Sequence, residues 1–194
     1  MVCIFDLDGT LACPEHRRHF VDPKHVKNLD LTNSYGLNVI VESDKQMYNQ
    51  EQVEKFKPDW KSFYETCDKD EPIYETIGVL RMLMHCGAPT QIWSGRCESV
   101  RIKTHAWIFA HTGFEPCRDT VKMRPIGDYT PDDQLKERWL DERIKHLEET
   151  RPAGLTFKAD HDIDFVFDDR PKVVRMWRRR GIFVFDCNQT GEEF

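Results

Sequence analysis

The chain has 194 residues, 39% of them hydrophobic and 32% charged, and its 28 Lys and Arg against 34 Asp and Glu leave a net charge of −6. That suits one domain with room for a modest insertion, and it excludes an overall basic footprint for gripping a long nucleic-acid backbone, although local basic clusters can still act. The seven cysteines are odd in number and lack C-x-x-C spacing, and the opening apolar run is too short for a signal peptide or a membrane span, so the expectation is a cytoplasmic protein without a zinc site, disulfide framework or membrane contact.

The first element is the run Val2-Cys3-Ile4-Phe5, which reads as a buried central strand, closed by Asp6-Leu7-Asp8-Gly9-Thr10. In an open α/β sheet, ligands bind at the carboxyl ends of such strands. Two carboxylates at i and i+2 point to opposite faces of a continuing strand, so a bend after Asp6 is needed for both to face one pocket. The plain alternative is an acidic turn with Gly9 at positive φ. Next comes Ala12 to His19, a short basic stretch in which Arg17 offers a planar fork suited to phosphate oxygens. Its arginines can equally pair with acids of the following segment.

From about Val21 to Glu71 the α/β rhythm breaks, and residues 21–71 read as an insertion holding a strand near 35–41 and a helix near Glu51–Cys67. Its aromatics Tyr48, Phe56, Trp60, Phe63 and Tyr64 can stack a nucleobase, but such residues more often form the insertion's own core. The doubly wound pattern resumes with a helix carrying Ile77, Leu80 and Met84 on one face and ending at Gly87. Then follow a strand from Ala88 to Trp93 that ends in Ser94-Gly95-Arg96, and a helix from Glu98 to about His111.

Thr130-Pro131-Asp132-Asp133 reads as a helix start, with Thr130 as the cap and Pro131 in the first turn. Lys136 sits so near this N-terminus that it faces the positive end of the helix dipole, a placement that capping does not favour. Asp132, four residues back, can hold its ammonium, either functionally or as a plain surface pair. The last strand-like run, Ile163 to Phe167, ends in Asp168-Asp169, and a helix from Pro171 to Arg180 leads into a strand at Ile182–Phe185. The basic run 178–180 suits a helix C-terminus.

These motifs together resemble the four signatures of the haloacid-dehalogenase (HAD) superfamily, in order and each at a predicted strand or helix end. The fold implied is an α/β, HAD-like (Rossmannoid), doubly wound and mostly parallel sheet, with residues 1–20 and 72–194 as the catalytic core and 21–71 as a small cap between the first and second motifs. The resemblance implies a magnesium-dependent phosphatase. In it Asp6 is the nucleophile, Asp8 the general acid and base, and Thr10 the residue that orients Asp8. Ser94 and Gly95 bind phosphate oxygens, Lys136 offsets charge, and Mg²⁺ is held by Asp6, Asp8, Asp168 and Asp169. The chemical need is plain: a carboxylate attacks phosphorus only where cations offset the repulsion, and the leaving oxygen needs a proton.

A closer likeness, over roughly two thirds of the chain, is to the 3′-phosphatase domain of phage polynucleotide kinase-phosphatases. It rests on F-D-L-D-G-T-L-A with Arg17 following, S-G-R, Asp132-Asp133-Gln134-Leu135-Lys136 and D-D-R-P-K-V-V-R-M-W-R-R. It implies that Arg17, Arg96, Asp132 and Lys136 belong to the active site, and that the partner is a nucleic-acid 3′-phosphate end, in a host cytosol if the chain is phage-encoded. A nucleotidase acting on nucleoside monophosphates is the alternative, and a noncatalytic phosphate-binding module the reading from another class. The kinase motif G-x-x-x-x-G-K-[ST] does not occur in these residues.

Overall fold

The computed structural model describes residues 2–23, 56–150, 162–189 and 191. Most of the predicted insertion, including the strand expected near 35–41 and Tyr48, lies outside the described residues. A five-stranded parallel sheet organises the chain: β1 (Val2–Phe5), β4 (Thr90–Cys97), β5 (Val121–Arg124), β6 (Ile163–Asp168) and β7 (Val184–Asp186), in the order β5-β4-β1-β6-β7. All four residues of β1 are buried, as its unbroken apolar sequence requires of a central parallel strand.

The period of two along β1 divides the core. Cys3 and Phe5 face one apolar cluster and Val2 and Ile4 the other. The first cluster is closed by α2 (Tyr74–His85), through Ile77 and Leu80, and α3 (Arg101–Thr112), through Trp107 and Ile108. The second is closed by α4 (Asp132–Thr150) and α5 (Pro171–Arg179), whose Trp139 and Trp177 pack around Trp93 of β4 at centroid distances of 5.9 and 5.7 Å. A sheet between two helical layers is the doubly wound architecture expected.

The two chain segments flanking the insertion are tied together. β2 (Ala12–Cys13) pairs antiparallel with β3 (Glu71–Pro72), closing the excursion at its base. The helix expected over Glu51–Cys67 is seen among the described residues as α1 (Trp60–Glu65), started by Asp59, whose carboxylate accepts from the Ser62 backbone N–H at 3.0 Å. A 3₁₀ turn, Cys67–Lys69, follows, and Cys67 is buried in the first core cluster. This part of the segment therefore packs on the sheet domain.

Three expectations shift. β5 has no counterpart in the sequence reading, because an edge strand of four residues with burial on alternate positions carries little apolar signal. α4 begins at Asp132, one residue beyond the expected first turn, with the Pro131 carbonyl accepting from Leu135 N at 2.8 Å. β4 runs on through Ser94, Gly95 and Arg96 to Cys97, after a register shift against β5 between Ser94 and Cys97. Among the described residues no helix is long and apolar enough to cross a membrane.

Ile92, fully buried at the centre of β4, faces the first cluster. Ile92→Ala is expected to lower unfolding free energy by about 2–5 kcal/mol in urea titration, the range for truncating a packed core aliphatic.

Candidate active site

β1 stops at Phe5, and the chain then folds into a tight loop: Leu11 and Ala12 both donate their N–H to the Leu7 carbonyl at 2.8 Å, and Gly9 donates to Ala12 O at 2.7 Å. Gly9 makes this turn at φ +85°, and a Cβ there would lie 2.0 Å from an oxygen of Asp169. Only glycine meets both demands. The bend does bring Asp6 and Asp8 to the same end of the sheet, but into two different charge clusters.

Asp6 joins the acids at the end of β6. Oxygens of Asp6, Asp168 and Asp169 all lie within 4.8 Å of one another, and the Lys136 ammonium, 2% exposed, donates to Asp6 Oδ1 at 2.6 Å and to Asp168 Oδ2 at 2.8 Å. Trp177 Nε1 donates to the same Asp168 oxygen at 3.3 Å. Burial raises the Asp6 carboxyl well above the usual range, and Asp168 and Asp169 add to the rise while Lys136 opposes it. Asp169 is pushed up to about 6 by burial and by Asp168. Lys136 is held cationic: burial alone would lower it, and the charges of Asp168 and Asp6 outweigh that. Lys136 is thus no surface pair.

Asp8 belongs to the second cluster. Arg17 Nη2 donates to Asp8 Oδ1 at 2.8 Å, and Arg96 donates to the same oxygen from Nε at 2.9 Å and from Nη2 at 2.6 Å. Burial would raise Asp8, but these two guanidiniums more than offset it and hold the carboxyl below its ordinary range. Beneath them lies Asp70, 3% exposed, which accepts from Arg17 Nε at 2.7 Å, from Arg17 Nη2 at 2.6 Å and from Arg96 Nη2, with His16 Nε2 at 2.9 Å. Both guanidiniums are fully buried, and Arg17 also lies 4.1 Å from the Phe63 ring centroid. Arg96 Nη1 has no hydrogen-bond partner among the described residues.

A third group stands at the ends of β4 and β5. Asp132 accepts from Arg124 and Arg170, and Arg124 Nε donates to the Gly95 carbonyl at 3.0 Å. A Cβ on Gly95 would meet the Asp132 carboxylate at 2.8 Å, so glycine is required here by the close approach. Ser94 is fully buried, its Oγ accepting from Arg96 N at 3.2 Å.

All the expected site residues therefore gather at the carboxyl ends of β1, β4 and β6, with changed partners in four cases. Arg17 pairs with acids inside the protein. Thr10 Oγ1 donates to Asp169 Oδ1 at 3.3 Å, where Asp8 was expected. Asp132 bonds two arginines and makes no hydrogen bond to Lys136, because the lysine stem carries its ammonium inward to Asp6 and Asp168. The Asp8 side chain stands apart from the carboxylate trio. Sequence reasoning missed Asp70, Arg124 and Arg170. Arg170 follows the paired acids directly and was within reach; Asp70 sits in a polar run with no periodicity to single it out.

The trio's chemistry suits a hard divalent cation. Three carboxylates, faced by the Lys136 ammonium and within electrostatic reach of Arg170, form an all-oxygen donor set of the kind that Mg²⁺ takes.

Residues 38–192 match the family model described as the polynucleotide kinase PNKP phosphatase domain, a match that begins after the first motif. No curated protein matches the chain. Among solved structures, one described as a Pnkp1/Rnl/Hen1 complex is 24% identical with a TM-score of 0.54, covering 95% of this chain and 45% of that one. A HAD hydrolase of family IA, variant 3, from Entamoeba histolytica is 13% identical with a TM-score of 0.50, covering 97% and 85%. The chain spans less than half the length of the first of these.

Removing Asp70 would leave Arg17 and Arg96 buried with Asp8 as their remaining acidic partner. Asp70→Ala is expected to cost about 3–5 kcal/mol in urea unfolding, whereas Glu65→Ala, which breaks an exposed pair with Lys61, is expected to cost less than about 1 kcal/mol.

Proposed function

The chain belongs to the PNKP phosphatase-domain family, and on that premise we propose that this HAD phosphatase is a Mg²⁺-dependent phosphomonoesterase that removes 3′-phosphates from nucleic-acid ends through an aspartyl-phosphate. The observation that carries the reading is the Lys136 ammonium seated between Asp6 and Asp168, with Asp169 completing the carboxylate trio.

Asp6 attacks phosphorus: its Oδ–P bond forms as the P–O bond to the nucleoside breaks, and the leaving oxygen takes a proton from Asp8. Asp8 then accepts a proton from water as the water oxygen bonds to phosphorus and Asp6 leaves. In the resting site Arg17 and Arg96 keep Asp8 ionised, which suits the second step. An incoming phosphate beside it adds negative charge and raises its proton affinity, which suits the first. Lys136 offsets charge on the transferring group, where most catalysis of phosphoryl transfer lies. Ser94 Oγ and the backbone beside Gly95 offer phosphate contacts without adding charge. Asp6, Asp168 and Asp169 would hold the Mg²⁺, which supplies Lewis-acid stabilisation of the phosphate oxygens.

The 3′-phosphate assignment is supported by the family match. Arg17 and Arg96 act by fixing Asp8, with Asp70 as their buried anchor, and Asp132 acts by fixing Arg124 and Arg170. In this proposal residues 21–71 form the cap, the β2–β3 pair marking its base.

The test is phosphate release from a matched set: a 3′-phosphate oligonucleotide, a 5′-phosphate oligonucleotide, deoxynucleoside monophosphates and a phosphopeptide, each with Mg²⁺ and with chelator. The first is expected to be the best substrate, with activity lost on chelation and restored by Mg²⁺. Preference for free monophosphates would move the assignment to a nucleotidase. Asp6→Asn is expected to abolish release while preserving the circular dichroism spectrum, and Lys136→Met to lower kcat about 10²–10³-fold, the usual loss when one preorganised charge-stabilising group is removed.

A further inference from the structure

A groove of about 430 Å³ lies between α1 and the start of α3, lined by Tyr64, Val100, Ile102, Lys61, Lys103 and Glu65. It is separate from the three charge clusters yet adjoins them through one side chain. The Tyr64 hydroxyl donates to the Gly95 carbonyl at 3.4 Å, the same carbonyl that accepts from Arg124, and Tyr64 lies within the electrostatic reach of Asp132 and Asp8. Its ring therefore stands with its hydroxyl at Gly95 near the end of β4 and its body in the groove.

We infer that this groove receives the nucleoside that carries the scissile phosphate, with its base against Tyr64 and Ile102. The inference rests on the phosphatase reading and adds where the leaving group sits. Four observations favour a nucleoside over a small polar alcohol. The volume falls within the range of small-molecule sites, large enough for a base and its sugar. The walls are mainly apolar, and one is an aromatic ring, the surface on which bases stack. Ile102 is 88% exposed, so its aliphatic side chain at the groove is open to contact by a ligand. Two lysines stand at the rim on long mobile stems: Lys61 lies 3.9 Å from Glu65, and Lys103 lies 3.8 Å from Asp68 and donates to the Glu65 carbonyl. Such exposed pairs are weak, and a nucleotide's phosphodiester can replace them.

The neighbouring aromatics have different work. Phe63 is buried under Arg17, and Trp60 packs edge-on against Phe63 at 5.7 Å, so Tyr64 is the ring of α1 that lines the groove.

The experiment compares kcat/KM for thymidine 3′-monophosphate and for glycerol 2-phosphate, an ester with no base, in the full chain with Mg²⁺. The unaltered protein is expected to prefer the nucleotide by tenfold or more. Ile102→Glu, which puts a charge in the groove at an exposed position, is expected to reduce that preference about tenfold. Ile126→Glu, at an exposed site elsewhere, is expected to keep it. Equal use of the two esters by the unaltered protein, or equal losses on both in Ile102→Glu, overturns the inference and leaves the phosphatase reading standing. Hydrolysis of neither ester, with a 3′-phosphate oligonucleotide still hydrolysed, overturns the inference alone, and hydrolysis of none of the three overturns both.

Discussion

The site is governed by the cost of burying charge. Asp6, Asp70, Asp168, Arg17, Arg96 and Lys136 are buried at the carboxyl ends of the strands, with Asp8 partly buried beside them, and such groups are tolerable only when paired and hydrogen-bonded. The fold meets that demand unequally. Around Asp8 the account is balanced, with two guanidiniums between two carboxylates. Around Asp6 three carboxylates gather against the Lys136 ammonium with Arg170 in electrostatic reach, and burial raises the proton affinity of Asp6 and Asp169.

That difference separates the two aspartates of one loop. They are two residues apart, and the turn through Gly9, at positive φ and with no room for a Cβ beside Asp169, leaves one facing Lys136 and the other the arginines. Asp6 is placed among carboxylates beside the Lys136 ammonium, and Asp8 is gripped at a fixed position by two guanidiniums. Asp70 and Asp132 extend the same logic outward: each is an acid whose partners are arginines, so each fixes the placement of cations at the site.

Most of the architecture was legible in the sequence because its signals are local. The unbroken apolar run of β1, the pattern of α2 and the paired acids ending β6 each follow from burial on both faces of a parallel sheet or on one face of a helix. The candidate site residues were legible for the same reason: they stand at the ends of those elements. Their partners were not. Thr10 meets Asp169 across 159 residues of sequence, and Arg17 meets Asp70 across 53, distances over which spacing says nothing. Asp132 illustrates the limit best. It lies one helical turn from Lys136, yet the lysine's buried stem turns away from it toward Asp6 and Asp168. The edge strand β5, short and half polar, was invisible, and Arg124 was lost with it.

The central claim is that phosphorus passes through Asp6 on its way to water. Two in-line displacements restore the configuration at phosphorus, and a single displacement by water inverts it. Hydrolysis of a 3′-phosphorothioate ester made chiral at phosphorus with two oxygen isotopes, in water of the third isotope, separates the two, because the thiophosphate released then carries four different substituents. Retention is the predicted result; inversion would contradict the account.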